Sequence, residues 1–175
     1  MKKIISIPEI LIFIVLVGMC LFFQEENPLF LSSENVIVIL RASAFSGICA
    51  VGMAFLLISG MIDISIGSIV GLGSVVVSYS MTILGLPIWL SMIITVGIGV
   101  LCGYVNSFVV QKFNVSAFLT TISTMYIFRG IAMTLSKGYT IYPLPENFLS
   151  IGNAEPLNVS WAFVIFIALV VIGEL

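Results

Sequence analysis

The chain has 175 residues, of which 61% are hydrophobic and only 8% charged, and its mean hydropathy is +1.29. A soluble globular domain carries close to a quarter charged residues, so this composition points to the bilayer as solvent and to helices as spanning elements, because lipid cannot hydrogen-bond an exposed backbone. A formal net charge of −2 without a basic run argues against nucleic acid, and the lack of histidine, with Cys20, Cys49 and Cys102 each inside an apolar run, argues against zinc, a histidine triad or a disulfide framework.

The opening "MKKIISIPEILIFIVLVGMCLFFQEENP" sets Lys2 and Lys3 before an apolar core, as a signal peptide does. No small-x-small cleavage site follows, and Met19 before Cys20 is a poor lipoprotein box, so a retained first helix is expected over 7–23. An acidic loop, "QEENPLFLSSEN", then ends near Arg41. The second apolar segment covers 42–62, the third 64–86 and the fourth 88–110, with Pro87 marking the last break. "QKFN" separates a fifth segment, 115–135, which carries Arg129. A polar loop over 136–160 contains "YTIYPLPENF", whose two prolines forbid a regular helix or a central strand. The sixth segment starts at Trp161 and is still apolar at "GEL". At about 13 residues it is short for a crossing, so the sequence reads as a fragment of something longer. The expected fold is an all-α, polytopic transmembrane bundle forming one domain over 1–175.

Lysine and arginine in short loops set the orientation. With the N-terminus in the cytoplasm, Lys2, Lys3 and Lys112 fall inside, while Arg41 and Lys137 fall outside beside Glu25, Glu26, Glu34, Glu146 and Glu155. Ser91, Thr95, Gly99, Gly103 and Ser107 recur every four residues in the fourth segment, a line of small side chains along which a partner helix can approach; Gly67 and Gly71 begin a similar line in the third.

In "SGMIDISIGSIVGLGS" a single acid, Asp63, interrupts an apolar run that would stretch about 75 Å as one helix, so the chain must break there. Asp63 reads first as an N-cap that accepts the N–H of Ser65 or Ile66. A break at depth is tolerated only beside protein or a water-filled cavity, so Asp63 also reads, with Ser65 and Ser68, as the lining of a polar path. The two roles are compatible. Arg129 either faces a partner or snorkels to the outer surface, and Asn106, Thr120 and Thr121 read as bonds to a neighbouring helix before contacts to a solute. No catalytic constellation and no phosphate-binding loop is present, so no cofactor is expected and ATP hydrolysis would belong to another chain.

Three blocks together resemble the permease subunits of sugar-type ATP-binding-cassette importers, in the branch that includes ribose and autoinducer-2 permeases. "SGMIDISIGSIVGL" is similar to that family's Gly-x-Asp-[Leu/Ile/Val]-Ser-x-Gly-Ser block, with Met61 at a usual glycine. "GVLCGYVNSFVVQKFNVSAFLTTISTMYIFRGIAMTLSKG" resembles its Gly-x-x-Asn-Gly block and the threonine-rich block after it, with Ser107 and Ser116 at a usual glycine and proline and Ile122-Ser123 at the usual Leu-Gly. "YTIYPLPENFLSIG" resembles its outer loop. The resemblance implies the N-terminal part of a multi-pass permease in the cytoplasmic membrane of a prokaryote. It implies as partners a second permease copy or homologue, an extracytoplasmic binding protein and a cytoplasmic ATPase, whose docking loop belongs to the C-terminal half. Carried over position by position, Asp63, Ser65, Gly67 and Ser68, then Asn106, Phe118, Thr120, Arg129 and Gly130, are implied at the pathway. From the residues alone, an ion-coupled secondary transporter and a non-transporting remnant stand as the alternatives.

Overall fold

The computed structural model describes residues 7–153 and 161–173, with side chains from residue 10 onward. Lys2, Lys3 and Glu155, used above for orientation, lie outside the described residues. The chain forms α1 (Ile7–Glu26), α2 (Ser33–Ile58), α3 (Ile66–Thr82), α4 (Ile88–Phe113), α5 (Ala117–Ser136), α6 (Glu146–Asn153) and α7 (Trp161–Gly173). By length and composition, α2, α4 and α5 can each cross a membrane, whereas α3 and α7 are shorter apolar helices. The 17 residues of α3 rise only about 25 Å, less than a hydrocarbon core of ~30 Å. One end of α3 therefore lies at depth.

Several boundaries differ from the sequence expectation. α2 begins nine residues before position 42, because Ser32 caps it: its Oγ accepts the N–H of Asn35 at 3.3 Å. What read as loop is a capping motif, and Arg41 sits two turns inside the helix rather than at the end of a loop. α3 stops at Thr82, before residue 86, in a turn that Gly85 closes at φ +64°, a conformation glycine adopts without penalty. α4 runs on through Gln111 and Lys112 and ends in left-handed Asn114, so "QKFN" is a helix end and not a loop. The outer segment contains α6, which starts directly after Pro145, where the Pro145 carbonyl accepts the N–H groups of Phe148 and Leu149. Proline forbids a helix before its own position and permits one after it.

Two packed groups emerge. α3 lies between α4 and α5, and α2 packs against α7. The first group is centred on Leu72, Cys102, Phe128 and Ala132, with Ile69 and Ile98 against them. Asn106 meets the start of α3 while Thr95 meets its middle, so α3 and α4 run antiparallel. Thr121 meets Ile64, and Arg129 lies by Gly71, so α3 and α5 run parallel. In the second group, Gly47 abuts Phe166 and Phe55 abuts Gly173, which makes α2 and α7 parallel as well. α3, α4 and α5 thus alternate in direction, and Thr82 Oγ1 donates to the Pro143 carbonyl at 3.3 Å, tying the far end of α3 to the α5–α6 connection.

The small residues divide by use. Ser91 is fully buried, and a Cβ on Gly73 would sit 3.3 Å from the Thr95 methyl, so the close approach of α3 and α4 runs through Gly73, Ser91 and Thr95. Gly67, Gly71, Gly99 and Gly103 meet open space within 4 Å of where a Cβ would lie. Ser107 bonds Gln111 on its own helix.

A Cβ on Gly47 would lie 2.6 Å from the Phe166 ring, so Gly47→Leu is expected to destabilise the α2–α7 pair by about 1–3 kcal/mol. Unfolding of purified protein in detergent checks this, with Gly47→Leu/Phe166→Ala expected to recover most of the loss.

Candidate functional site

The polypeptide between α2 and α3 leaves helical geometry at Ser59, turns at Gly60 with φ +74°, and runs without helix or strand geometry through Met61, Ile62 and Asp63. The end of α2 accepts the N–H groups of Ser59, Gly60 and Met61, and the backbone groups that follow need other partners. Asp63 answers part of that need: Oδ1 accepts the Ser65 N–H at 2.7 Å and the Ser65 hydroxyl at 2.6 Å. The bond to the Ser65 N–H expected from the sequence is present, but Asp63 is not the N-cap: the helix is counted from Ile66 with Ser65 as its cap, so the carboxylate closes a turn two residues ahead of the cap. The second carboxylate oxygen accepts from Asn106 Nδ2 at 3.2 Å, and the same amide donates to Ser65 Oγ at 2.8 Å. Asn106 reaches this point from α4, about five turns in from Ile88.

α5 supplies the second support. Thr121 Oγ1 accepts the Ile64 N–H at 3.2 Å and lies 3.3 Å from the Phe118 carbonyl and 3.5 Å from that of Ile62, to which its own proton can turn. Ser65, Asn106 and Thr121 are all buried, while Asp63 is half-buried. Every hydrogen bond to the Asp63 carboxylate comes from a neutral donor. Asn106 Oδ1 is a buried acceptor without a protein donor, and Thr120 Oγ1 is a buried hydroxyl without a partner.

Two cavities flank this junction. One, of about 370 Å³, is lined by Asp63, Asn106, Ser107, Gln111 and Thr121 together with Ile62. The other, also of about 370 Å³, is lined by Ile64, Ser68, Met125 and Arg129 over the open glycines Gly67 and Gly71. The candidates named from the sequence therefore separate: Asp63 and Asn106 face the first cavity, Ser68 and Arg129 the second, and Ser65 is buried at the junction. Phe118 is exposed and lines neither, and Thr120 is buried on α5. Thr121 reads from the sequence as a bond to a neighbouring helix before a contact to a solute, and Gln111 reads as part of a break between helices. The Ser107–Gln111 spacing of four residues, joined at 2.7 Å, is the signal that puts Gln111 on the helix face beside Asn106.

With this geometry in view, the comparisons are specific. Residues 35–174 match the family described as branched-chain amino acid transport system / permease component. The xylose transport system permease protein XylH of Escherichia coli K12 is 36% identical over 86% of this chain and 38% of its own length. The ribose import permease protein RbsC of Haemophilus influenzae is 35% identical over 84% of this chain and 46% of its own. The autoinducer 2 import system permease protein LsrD of Enterobacter sp. strain 638 is 31% identical over 90% of this chain and 50% of its own. The chain thus spans half or less of the length of these curated relatives. No solved structure matches it.

Asn106→Leu strips Asp63 Oδ2 and Ser65 Oγ of their donor and is expected to cost about 1–3 kcal/mol of stability. Asp63→Asn, which keeps an acceptor for the Ser65 N–H and can pair with a rotated Asn106 amide, is expected to cost less than half as much. Paired unfolding curves in detergent check the ranking.

Proposed function

Because the chain belongs to the family of branched-chain amino acid transport system permease components, we propose that it is a membrane-spanning permease subunit of an ATP-driven importer for a sugar or sugar-like solute. The names of the relatives, which specify xylose, ribose and autoinducer 2, support the solute class. The observation that carries the reading in this chain is the polar break before α3, set at depth against a cavity of about 370 Å³. That volume lies within the range of small-molecule sites. A sugar offers hydroxyls that donate and accept in equal measure. The cavity wall answers with an acceptor carboxylate at Asp63, donor and acceptor amides at Asn106 and Gln111, and hydroxyls at Ser107 and Thr121. A neutral solute of this kind needs no counter-charge, in keeping with the neutral surroundings of Asp63.

The subunit works with a cytoplasmic ATPase, a second permease copy or homologue and an extracytoplasmic binding protein, because no phosphate-binding loop lies in this sequence. Its N-terminus is cytoplasmic, which sets Lys112 and the mouth of the Asp63 cavity on the inner side and α6 on the outer. The parallel α2 and α7 both then run inward.

The test is uptake of labelled xylose, ribose and leucine by membranes that hold this chain with its ATPase and binding-protein partners. The expected result is pentose uptake that requires ATP and survives collapse of ion gradients, and that falls roughly tenfold in Asp63→Leu with membrane abundance unchanged. Leucine uptake alone overturns the solute class. Uptake that persists without the ATPase and dies with the ion gradient overturns the importer reading in favour of an ion-coupled transporter.

A further inference from the structure

The two cavities share one wall. Ile62 and Asp63 line the first, and the next residue, Ile64, lines the second. The same face of α5 borders both: Ala117 and Thr121 the first, then Met125, Arg129 and Ala132 the second. At 1.5 Å per residue their centres are offset by roughly 15 Å along the helix, so the two cavities follow one another across the membrane. Residues 62–64 contribute to the walls of both.

Residues 62–64 are held by side chains, while the Ser65 carbonyl accepts the backbone N–H groups of Ser68 and Ile69. Among the described residues, Ile62, Asp63 and Ile64 make no backbone–backbone hydrogen bond outside the helices. The Ile64 N–H ends on Thr121 Oγ1, and Asp63 and Ser65 end on Asn106 Nδ2. Immediately before them, Gly60 at φ +74° gives a pivot next to α2, whose main packing partner is α7 and whose Leu56 reaches the first cavity. A wall fixed by two side-chain clamps and joined to a separately packed helix pair has two discrete arrangements available, clamped and released.

We propose that residues 62–65 form a plug that separates two halves of one transmembrane path, and that Thr121 is the positioning residue that holds it shut. The proposal rests on the permease reading for what passes, although the plug itself is measurable without transport. Thr121 touches no solute in this role. It acts through the Ile64 amide, and movement of α2 against α3–α5 unseats that bond.

The test uses the full chain in vesicles with Cys20, Cys49 and Cys102 replaced by Ala and Met125→Cys as reporter in the second cavity. A charged, membrane-impermeant thiol reagent is added on the side bearing Lys112, and amide exchange at Ile64 is followed in parallel. Thr121→Val, which removes the acceptor, is expected to raise both the labelling rate and Ile64 exchange by roughly tenfold, a bond's worth of about 1.4 kcal/mol, while Thr121→Ser stays within twofold of the parent. Equal labelling in the Val and Ser variants overturns the plug. If Thr121→Val loses exchange protection throughout α4 and α5, Asn106→Ser releases the other clamp and is judged by the same two readouts. A plug that opens as described in a chain that supports no pentose uptake would overturn the permease reading and leave the plug standing.

Discussion

A polypeptide that leaves helical geometry inside a membrane domain must find partners for its backbone without water. That constraint governs the region from Ser59 to Ser65, where the chain passes from α2 to α3 through non-helical residues. Asp63 supplies an acceptor from within the segment, Asn106 a donor from α4, and Thr121 an acceptor from α5. Three elements are thus locked to one point by polar side chains, and the antiparallel and parallel crossings of α3 with α4 and α5 follow from where those side chains sit. The small residues Gly73, Ser91 and Thr95 then let α3 and α4 close up along the rest of their length.

The cost of such a junction is local rigidity obtained from few bonds. A continuous helix would satisfy the same backbone groups cooperatively and would leave no cavity. Here two cavities of about 370 Å³ survive beside the break, and the carboxylate between them is matched by neutral donors and not by a cation. A salt bridge would add the desolvation cost of a second buried charge and would occupy the lone pairs that the neutral donors now use. Fold and site therefore depend on the same three side chains.

The existence of the apolar helices was legible in the sequence, because about twenty residues without charge have few other uses. So was the break, since Asp63 interrupts a run too long for one span. The role of Asn106 as a bond to a neighbouring helix was read correctly in kind, but its target was not, because nothing in "GYVNSF" says that α4 runs beside the start of α3. Thr121 was ranked with Thr120 for the same reason: adjacent positions on a helix face different neighbours, and only the packing tells that Thr121 meets the broken segment. Ends of helices were the weakest part. "SSEN" and "QKFN" look like loop compositions, yet Ser32 caps α2 and Asn114 closes α4, since polar residues at helix ends serve the backbone and do not interrupt it.

The contact between Gly47 and Phe166 joins positions 119 residues apart. At a synthesis rate of about 5–20 residues per second, α2 enters the bilayer on the order of ten seconds before its partner exists. α3, α4 and α5 are made in that interval and, with short connections, close on one another first. The polar junction at Ser59–Ser65 is therefore complete in the chain before the α2–α7 seam can close.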